Sequence, residues 1–285
     1  MIFIKMKDHF LIKIDTQLLV FLLLFSTYIE AQVILSADGP GDTYELISGA
    51  LAPGYKPIEA PGIKRKSCDN HSIFGDHISE VFDEELNKNV FKFVIHLNDD
   101  NDRCKKFDRQ RNEIKAYKAS PDSLKATLGE TVEYSWKFKL DENFQASKRF
   151  THLHQLKCVG GIIKKPIITL TARRGDPDKL ELCHFSGTET SKLATVKLNL
   201  FRGKWVEVKE TITFLDGNKG KYHIRIIDTK TKKEILDYSN NYIRMWATEA
   251  IFIRPKWGIY RSLKRSDQLR DENVLFADFR IEEKK

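Results

Sequence analysis

Residues 130–140 read ETVEYSWKFKL, and from Thr131 onward apolar and polar side chains alternate at every position. One side of this run collects its large apolar residues, Val132, Tyr134, Trp136, Phe138 and Leu140. A repeat of two residues is typical of a β-strand that buries one face and exposes the other. The stretch therefore predicts a strand that covers a hydrophobic core.

Similar short runs recur along the chain and are separated by turn sequences such as Gly160-Gly161 and Asp216-Gly217-Asn218. Only residues 122–126 suggest a short helical turn. The additional runs are 89–96, 110–117, 148–157, 165–173, 179–185, 204–214, 220–227, 233–238, 256–262 and 272–282. Many short strands at regular spacing predict an all-β fold, either a sandwich or a jelly roll.

The composition fits such a domain and narrows the classes of function. The chain has 285 residues, of which 41% are hydrophobic, enough apolar side chains for a core, which excludes a disordered chain. Only one long apolar run is present, which excludes a multi-span membrane protein. Lys and Arg total 48 and Asp and Glu total 40, giving a net charge of +8 that favours an anionic partner.

The long apolar run lies near the start of the chain and is interpreted as part of a secretory signal over residues 1–31. Lysines precede an apolar stretch from Leu18 to Ile29, and Ala31 is a plausible last residue before cleavage. The alternative is a membrane anchor, but the run is short for a span of about 20 residues. We expect a loose segment over 32–42 and one domain over 43–285, extracellular, monomeric and without membrane contact after cleavage.

A secretory route changes how the four cysteines are interpreted, because disulfides form in oxidising compartments. Three pairings are open to four cysteines, and we favour the two local pairs, Cys68–Cys104 and Cys158–Cys183. Buried free thiols are the alternative. Asn70-His71-Ser72 is a sequon for N-glycosylation.

Three predicted strands carry more polar groups than a sandwich core needs. Strict alternation places Arg111, Glu113 and Lys115 on one face of the first, and His152 with His154 on one face of the second. On the second strand Gln155 then falls on the opposite face. In the third, KWGIYRS, Lys256 and Tyr260 share a face and Arg261 lies on the other. An ordinary solvated face explains each strand alone, and a metal site at His152 and His154 lacks an obvious third ligand.

Taken in order, these strands resemble the motifs of jelly-roll polysaccharide lyases, the group of alginate, glucuronan and heparin lyases. The matching segments are Arg111-Asn112-Glu113, His152-Leu153-His154 and Lys256-Trp257-Gly258-Ile259-Tyr260. FTHLHQLK, RPKWGIYRS and LFADFRI resemble the heparin-lyase-like branch, especially its secreted fungal-type members. The resemblance covers residues 43–282 and implies a concanavalin-like sandwich whose concave sheet carries a substrate groove.

The resemblance implies β-elimination on a polymer that contains uronic acid. A base removes the proton at C5, an acid protonates the leaving glycosidic oxygen, and cations neutralise the sugar carboxylate. We expect His154 to be the base, since imidazole titrates near neutral pH, and Tyr260 to be the acid, or also the base on a syn substrate. Arg111 and His152 neutralise the carboxylate, with help from Lys256. One departure matters: His152 stands where alginate lyases have a glutamine, which leaves the glutamine role and the substrate open.

Further residues complete the expected site. Glu113 is expected to orient Arg111, and the other substrate-binding residues are Gln155, Lys115, Asn241 and Arg261. No cofactor is required. Asp278 matches a position at which related sandwiches hold a structural calcium ion, although its companion ligands are not evident.

Three other functions compete with a lyase. A carbohydrate-binding sandwich would keep the groove but need no acid and base. A glycoside hydrolase would need two carboxylates about 5–10 Å apart, and the acidic cluster at 80–85 reads as an exposed strand end or turn. A nucleic-acid binder would fit the net charge, but no basic tract or known motif is present. We therefore expect an anionic polysaccharide as the partner, not nucleic acid.

Overall fold

The computed structural model describes residues 32–63, 68 and 74–284. The predicted signal over 1–31 and the sequon at Asn70 lie outside these residues. The strands are β1 (Gln32–Leu35), β2 (Ile58–Glu59), β3 (Ile78–Asp83), β4 (Lys88–Ile95), β5 (Arg109–Lys115), β6 (Thr131–Leu140), β7 (Thr151–Gly160), β8 (Ile168–Arg173), β9 (Lys179–Phe185), β10 (Thr190–Lys197), β11 (Val206–Thr213), β12 (Gly220–Asp228), β13 (Glu234–Ile243), β14 (Ala250–Ser262) and β15 (Glu272–Lys284). One α-helix, α1 (Thr43–Leu51), and short 3₁₀ turns at Asp122–Leu124, Leu198–Leu200, Gly217–Lys219 and Ser266–Gln268 complete the described secondary structure.

Two antiparallel sheets form the domain. In the described residues, sheet I has eight strands in the order β13-β12-β11-β6-β15-β4-β3, with β1 paired to β15. Sheet II has seven strands in the order β10-β9-β8-β7-β14-β5-β2. The predicted jelly-roll sandwich is confirmed. No helix in the described part of the chain has the length and apolar character needed to cross a membrane.

The core lies between the two sheets. ETVEYSWKFKL contributes β6, and its predicted apolar face, from Val132 to Leu140, is buried. Trp136 of β6 meets Trp257 of β14 across the interface, with ring centroids 5.7 Å apart. Burial of each such side chain contributes about 1.5–3 kcal/mol to folding. The alternation that predicted a half-buried strand is therefore what joins sheet I to sheet II.

The N-terminal segment differs from the prediction. Gln32–Leu35, expected to be loose, pairs with β15 as β1. The following helix α1 was missed, although Tyr44, Ile47 and Leu51 form a buried stripe at helical spacing.

Strand β3 also differs from the prediction, because its pattern is inverted. Glu80 is buried and accepts hydrogen bonds from the backbone N–H groups of Asp38 and Gly39, whereas Phe82 is exposed. An acidic run with its apolar residue facing solvent does not read as a half-buried strand. Of the exposed strand end or turn expected at 80–85, the first part is therefore a strand end, but Glu80 and Asp83 in it are buried.

One of the two predicted disulfides is confirmed. Cys68 and Cys104 are bonded and close a loop of 36 residues. The pair Cys158–Cys183 is wrong, and both residues are buried free thiols. Cys158 lies on β7 and Cys183 on β9, with β8 between them. Cys158 belongs to the core cluster, whereas Cys183 lines a groove on the outer face of sheet II.

Candidate active site

The three strands with unusual polar faces are neighbours in sheet II, where β14 lies between β7 and β5. Tyr260 of β14 is opposite Arg111 on one side and His152 on the other. Gly258 is opposite Glu113. The segments that carry the family resemblance therefore form one continuous surface.

A β-bulge in β7 changes which side chains reach that surface. Pairing with β8 shifts between His152 and His154, so that Leu153 and His154 both point into the core. His152 and Gln155 then both lie on the groove face. The prediction that His152 and His154 share a face is wrong, because one extra residue resets the alternation.

His154 lies between the sheets, away from the groove. It is 1% exposed, and its Nε2 is 2.9 Å from Oε2 of Glu210 on β11. Trp136 packs against its ring with centroids 4.5 Å apart. The Tyr222 hydroxyl donates to the other oxygen of Glu210 at 2.5 Å. His154 therefore belongs to a buried polar cluster of the core, and the expectation that it is the catalytic base is corrected.

Gly258 allows β14 to approach β5 closely. Its φ is +139°, and a Cβ atom there would lie 2.1 Å from the carbonyl oxygen of Asn112. No side chain fits that space. The glycine of Lys-x-Gly-x-Tyr therefore keeps Lys256 and Tyr260 on the face of Arg111 and Glu113 while the strands stay paired.

Beneath the groove lies a buried ion-pair network of three carboxylates and four cations: Glu59, Asp102, Glu113, Arg103, Arg111, Lys115 and Lys256. Lys256 is 3% exposed, and its Nζ is 2.5 Å from Glu113 and 2.6 Å from Glu59. Lys115 lies 2.6 Å from Glu59. Both lysines are thus held by protein carboxylates, which contradicts the expectation that they touch the substrate.

The network keeps its carboxylates ionised. Burial alone would raise the pKa of Glu113, but Lys256 and Arg111 beside it bring that pKa below its usual value. The pKa of Glu59 is likewise raised by burial but lowered further by Lys256, Lys115 and Arg111, and ends well below its usual value. An ionised carboxylate has no proton to give, so neither residue suits the general acid of a hydrolase.

Arg111 is fixed at the floor of the groove. Its Nε and Nη2 donate to Asp102 at 2.9 and 3.1 Å, and its Nη1 donates to Glu113 at 2.5 Å. The guanidinium lies 3.6 Å from the ring centroid of Tyr260, a favourable cation–π geometry. The Tyr260 hydroxyl accepts a hydrogen bond from Arg109 at 3.0 Å. Contacts on several sides therefore hold the arginine and the phenol together.

His152 faces the groove with a defined tautomer. Its Nδ1 is 2.8 Å from the hydroxyl of Thr171, which itself donates to Thr169. Thr171 must then accept from Nδ1–H, which leaves a lone pair on Nε2. Burial, reinforced by the charges of nearby arginines, lowers the pKa of His152 to about 3. The imidazole is therefore neutral near pH 7.

The groove on the outer face of sheet II has a volume of about 480 Å³. None of the described residues that line it is acidic, whereas six are cations: Arg109, Arg111, Lys157, Lys164, Lys165 and Arg173. A hollow of similar volume on the outer face of sheet I is lined by three glutamates and four basic residues. The positive charge is therefore concentrated on the face that carries His152 and Tyr260.

Three lysines of the groove, here called the lysine trio, are Lys157, Lys164 and Lys165. Lys157 donates to the carbonyl of Lys164, and the Lys165 ammonium lies 4.6 Å from the ring centroid of Phe185. No described carboxylate lies within ion-pair distance of the trio, in contrast to Arg109, Arg111 and Arg173. Burial, with Lys256 and Arg111 nearby, lowers the pKa of Lys157 to about 8.

The remaining predicted residues divide between the groove and other parts of the domain. Gln155 lines the groove and donates to Glu113. Asn241 is exposed on β13 of sheet I, and Arg261 is fully buried, where it donates to Gln110 and to the carbonyl of Arg270. Neither is a groove residue, so both assignments are corrected.

Asp278 does not suit a calcium ion. One carboxylate oxygen contacts the Lys88 ammonium and the other lies 2.6 Å from that of Lys137. A calcium site needs several oxygen ligands that are free to coordinate. Here two lysine ammonium groups already neutralise the carboxylate.

Sequence reasoning missed several residues that shape the site. Lys157 lies within FTHLHQLK and could have been found on the groove face once the bulge was known. Glu59 and Asp102 come from β2 and from the turn before β5, outside every strand motif. No sequence signal connects them to Lys256 or Arg111.

Comparisons with known proteins agree with this architecture. No protein-family model matches the sequence, and a search of curated proteins finds no match. Among solved structures, the endo-β-1,4-glucuronan lyase of the fungus Trichoderma reesei is similar, with a TM-score of 0.52 and 14% identity over 72% of this chain and 86% of that one. The marine PL-14 alginate lyase of Aplysia kurodai has a TM-score of 0.52 and 16% identity, over 87% of this chain and 97% of that one. Alginate lyase AlgAT5 of polysaccharide lyase family 7 has a TM-score of 0.52 and 11% identity, over 80% of this chain and 94% of that one. The chain thus has the fold found in jelly-roll polysaccharide lyases.

Proposed function

We propose that this protein is a lyase that cleaves a polysaccharide containing uronic acid by β-elimination in the groove of sheet II. The observation that carries the proposal is the groove itself, which has six cationic side chains and no acidic one among its described lining residues, with His152 and Tyr260 on its floor. The shared fold with glucuronan and alginate lyases supports the same assignment.

The proposed reaction begins with neutralisation of the substrate carboxylate. Arg111 keeps N–H groups beyond those given to Asp102 and Glu113, and Gln155 lies beside it in the groove. Their hydrogen bonds stabilise the negative charge that develops on the carboxylate when the C5 proton leaves. The network beneath holds Arg111 in place, so its orientation is set before the substrate arrives.

The proton transfers then fall to His152 and Tyr260. Nε2 of His152 carries the lone pair, accepts the proton from C5, and thus replaces His154 as the proposed base. Its pKa of about 3 applies without substrate, and the negative charge of a uronate in the groove raises it toward the range that a general base needs. The electron pair of the C5–H bond forms the C4–C5 double bond, and the bond from C4 to the glycosidic oxygen breaks. Tyr260 gives its hydroxyl proton to that leaving oxygen. The two ring centroids are 5.9 Å apart, a separation that suits groups acting on one sugar residue.

The lysine trio supplies binding for neighbouring sugars. These ammonium groups face the groove without a described protein carboxylate as partner, so the uronates of a polymer provide the missing counter-charge. We further propose that the protein acts as a secreted monomer. The Cys68–Cys104 disulfide supports an oxidising route, as does the predicted signal.

The test is an assay for new double bonds. The protein is incubated with glucuronan, alginate, pectate and heparin, and the ultraviolet absorbance of unsaturated uronate ends is followed. We expect an increase with at least one polymer, loss of that increase in His152→Ala and Tyr260→Phe, and no change in Arg225→Ala, which alters the hollow of sheet I. Tight binding to a polymer with no increase in absorbance would instead identify a carbohydrate-binding protein without catalysis.

A further inference from the structure

Behind β5, on the side away from the groove, three potential metal ligands converge. Nε2 of His77 is 3.0 Å from Oδ1 of Asp100 and 3.2 Å from Nδ1 of His96, and that Nδ1 is 3.6 Å from Oδ2 of Asp100. Two ligands bound to one tetrahedral zinc ion at bond lengths of about 2.1 Å lie about 3.4 Å apart. The three observed separations bracket that value.

Hydrogen bonds account for part of this geometry, since Nε2 of His77 lies 3.0 Å from Oδ1 of Asp100 and the backbone N–H of His96 donates to Oδ2 of Asp100 at 2.6 Å. The approach of the two imidazole nitrogens to each other is not explained by these two bonds. A neutral imidazole carries one N–H, and its other nitrogen is an acceptor. If Nε2 of His77 carries the proton, that single proton faces both the Asp100 carboxylate and Nδ1 of His96. If Nδ1 of His77 carries the proton instead, the lone pair on Nε2 faces a carboxylate oxygen, which repels it. A cation at the meeting point satisfies all three atoms at once. Two imidazoles with one carboxylate are a ligand set that zinc favours, whereas calcium and magnesium prefer oxygen ligands.

The surrounding residues hold these ligands in place. The side-chain amide of Gln110 donates to the carbonyls of His96, Leu97 and Asp100. Asn112 donates to the carbonyls of His77 and Val94. Both residues are fully buried and belong to β5. These hydrogen bonds fix the backbone of the ligand-bearing segments, and therefore the positions from which the three side chains extend.

The degree of burial also suits a bound ion. The side chains of His77 and Asp100 are fully buried, whereas that of His96 is 17% exposed and provides a route to solvent. Phe74 stacks on the His96 ring with centroids 4.0 Å apart. The dry surroundings strengthen the attraction between a cation and the carboxylate.

We propose that His77, His96 and Asp100 bind one zinc ion, which fastens β3 to the turn between β4 and β5. That turn continues to Asp102, the partner of Arg111, so the ion stabilises the segment from which the groove network is built. The site does not depend on the proposed lyase activity.

Metal binding is tested on the whole protein, purified without a histidine tag, stripped with chelator and dialysed. Zinc is titrated by calorimetry, and cobalt, as a coloured substitute, by visible absorption. We expect one ion per chain and a higher melting temperature with zinc. His96→Ala should lower zinc affinity at least 10–100-fold. His223→Ala, which removes an exposed histidine 2.9 Å from Asp237, should bind zinc as the unchanged protein does.

A second variant distinguishes loss of a ligand from a folding defect. Asp100→Asn keeps the shape of the side chain but removes its charge, and it should also lose zinc binding. The proposal is overturned if the unchanged protein binds no zinc, or if both variants bind it with unchanged affinity. It is also overturned if cobalt gives the ultraviolet charge-transfer band of a thiolate ligand, which would place the ion at Cys158 or Cys183.

Discussion

His152 and His154 are separated by a single residue, yet they meet different surroundings. His152 is open to the groove and hydrogen-bonded to Thr171, whereas His154 pairs with Glu210 inside the core. The same type of side chain is thus a proposed base in one place and part of a buried polar cluster in the other. Substitutions at the two positions should therefore affect different properties.

His152→Ala is expected to reduce kcat by about 10²–10⁴-fold with little change in stability, since loss of a general base has that effect. His154→Gln is expected to lower the free energy of unfolding by about 1–3 kcal/mol, because it removes the imidazole from the buried Glu210 carboxylate, which then keeps only the Tyr222 hydroxyl among its described contacts. Urea unfolding and turnover measured on the folded protein separate the two effects. A stable His154→Gln protein without turnover would return the role of base to His154.

The lowered pKa of Lys157 predicts a pH dependence of binding. Lys157 is cationic below about pH 8 and becomes neutral above it, so the groove loses one positive charge as the pH rises. We expect the affinity for a uronate oligosaccharide to fall about fivefold across this step, the equivalent of about 1 kcal/mol. Calorimetry at constant ionic strength measures this affinity at each pH.

Lys157→Arg is the matched control for this step, because arginine stays charged throughout the range. The variant should keep its affinity between pH 7 and 9. Burial also lowers the pKa of Lys115 to about 8. Because Lys115 is present in both proteins, its titration does not produce a difference between them. An unchanged loss of affinity in Lys157→Arg would assign the step to another group.

At the scale of single elements, β14 depends on one glycine. Gly258→Ala should lower the free energy of unfolding by about 2–4 kcal/mol, since the added Cβ meets the backbone of β5 and the φ of +139° is unfavourable for alanine. Gly129→Ala is the control, because Gly129 also has a positive φ but no atom within 4 Å of the added Cβ. Denaturant unfolding of both proteins tests the difference, and equal losses would show that contact with Asn112 is unimportant.

The elements also show what a sequence can predict. Alternation is local, so it identified β6, β9 and most other central strands within a few residues. The bulges at Leu153 and Gly258 depend on the neighbouring strands, and no periodicity reveals them. The three motif strands were therefore predicted correctly as strands, but the faces of His154 and Gln155, which follow the bulge in β7, were not.

The partners of the site residues were harder to predict than the residues themselves. Arg111, His152 and Tyr260 lie in the groove as expected from their strand faces. Lys256 was assigned to the correct face, but its burial depends on Glu59 and Glu113, and Glu59 comes from a two-residue strand. Contacts between segments distant in sequence have no local pattern.

At the scale of the whole molecule, the cysteines offer a direct check on the arrangement of the sheets. Unfolding without a reductant, followed by alkylation, should label Cys158 and Cys183 and leave Cys68 and Cys104 unmodified. The mass of the intact chain counts the added groups, and peptide mapping locates them. A chain that takes up label only after reduction would show that β7 and β9 are cross-linked.

The unequal charge of the two outer faces has a consequence for the approach to a substrate. The groove of sheet II is lined by six cations and by no described acidic residue, and three of those cations, the lysine trio, have no described carboxylate within ion-pair distance, whereas the hollow of sheet I is lined by both signs. Within the net charge of +8, the groove thus carries a local excess of positive charge that the hollow lacks. Under the proposed function, this local excess attracts a polyuronate to the groove face first, within the screening length of about 8 Å at physiological salt. Productive encounters then depend on ionic strength through orientation as well as through attraction.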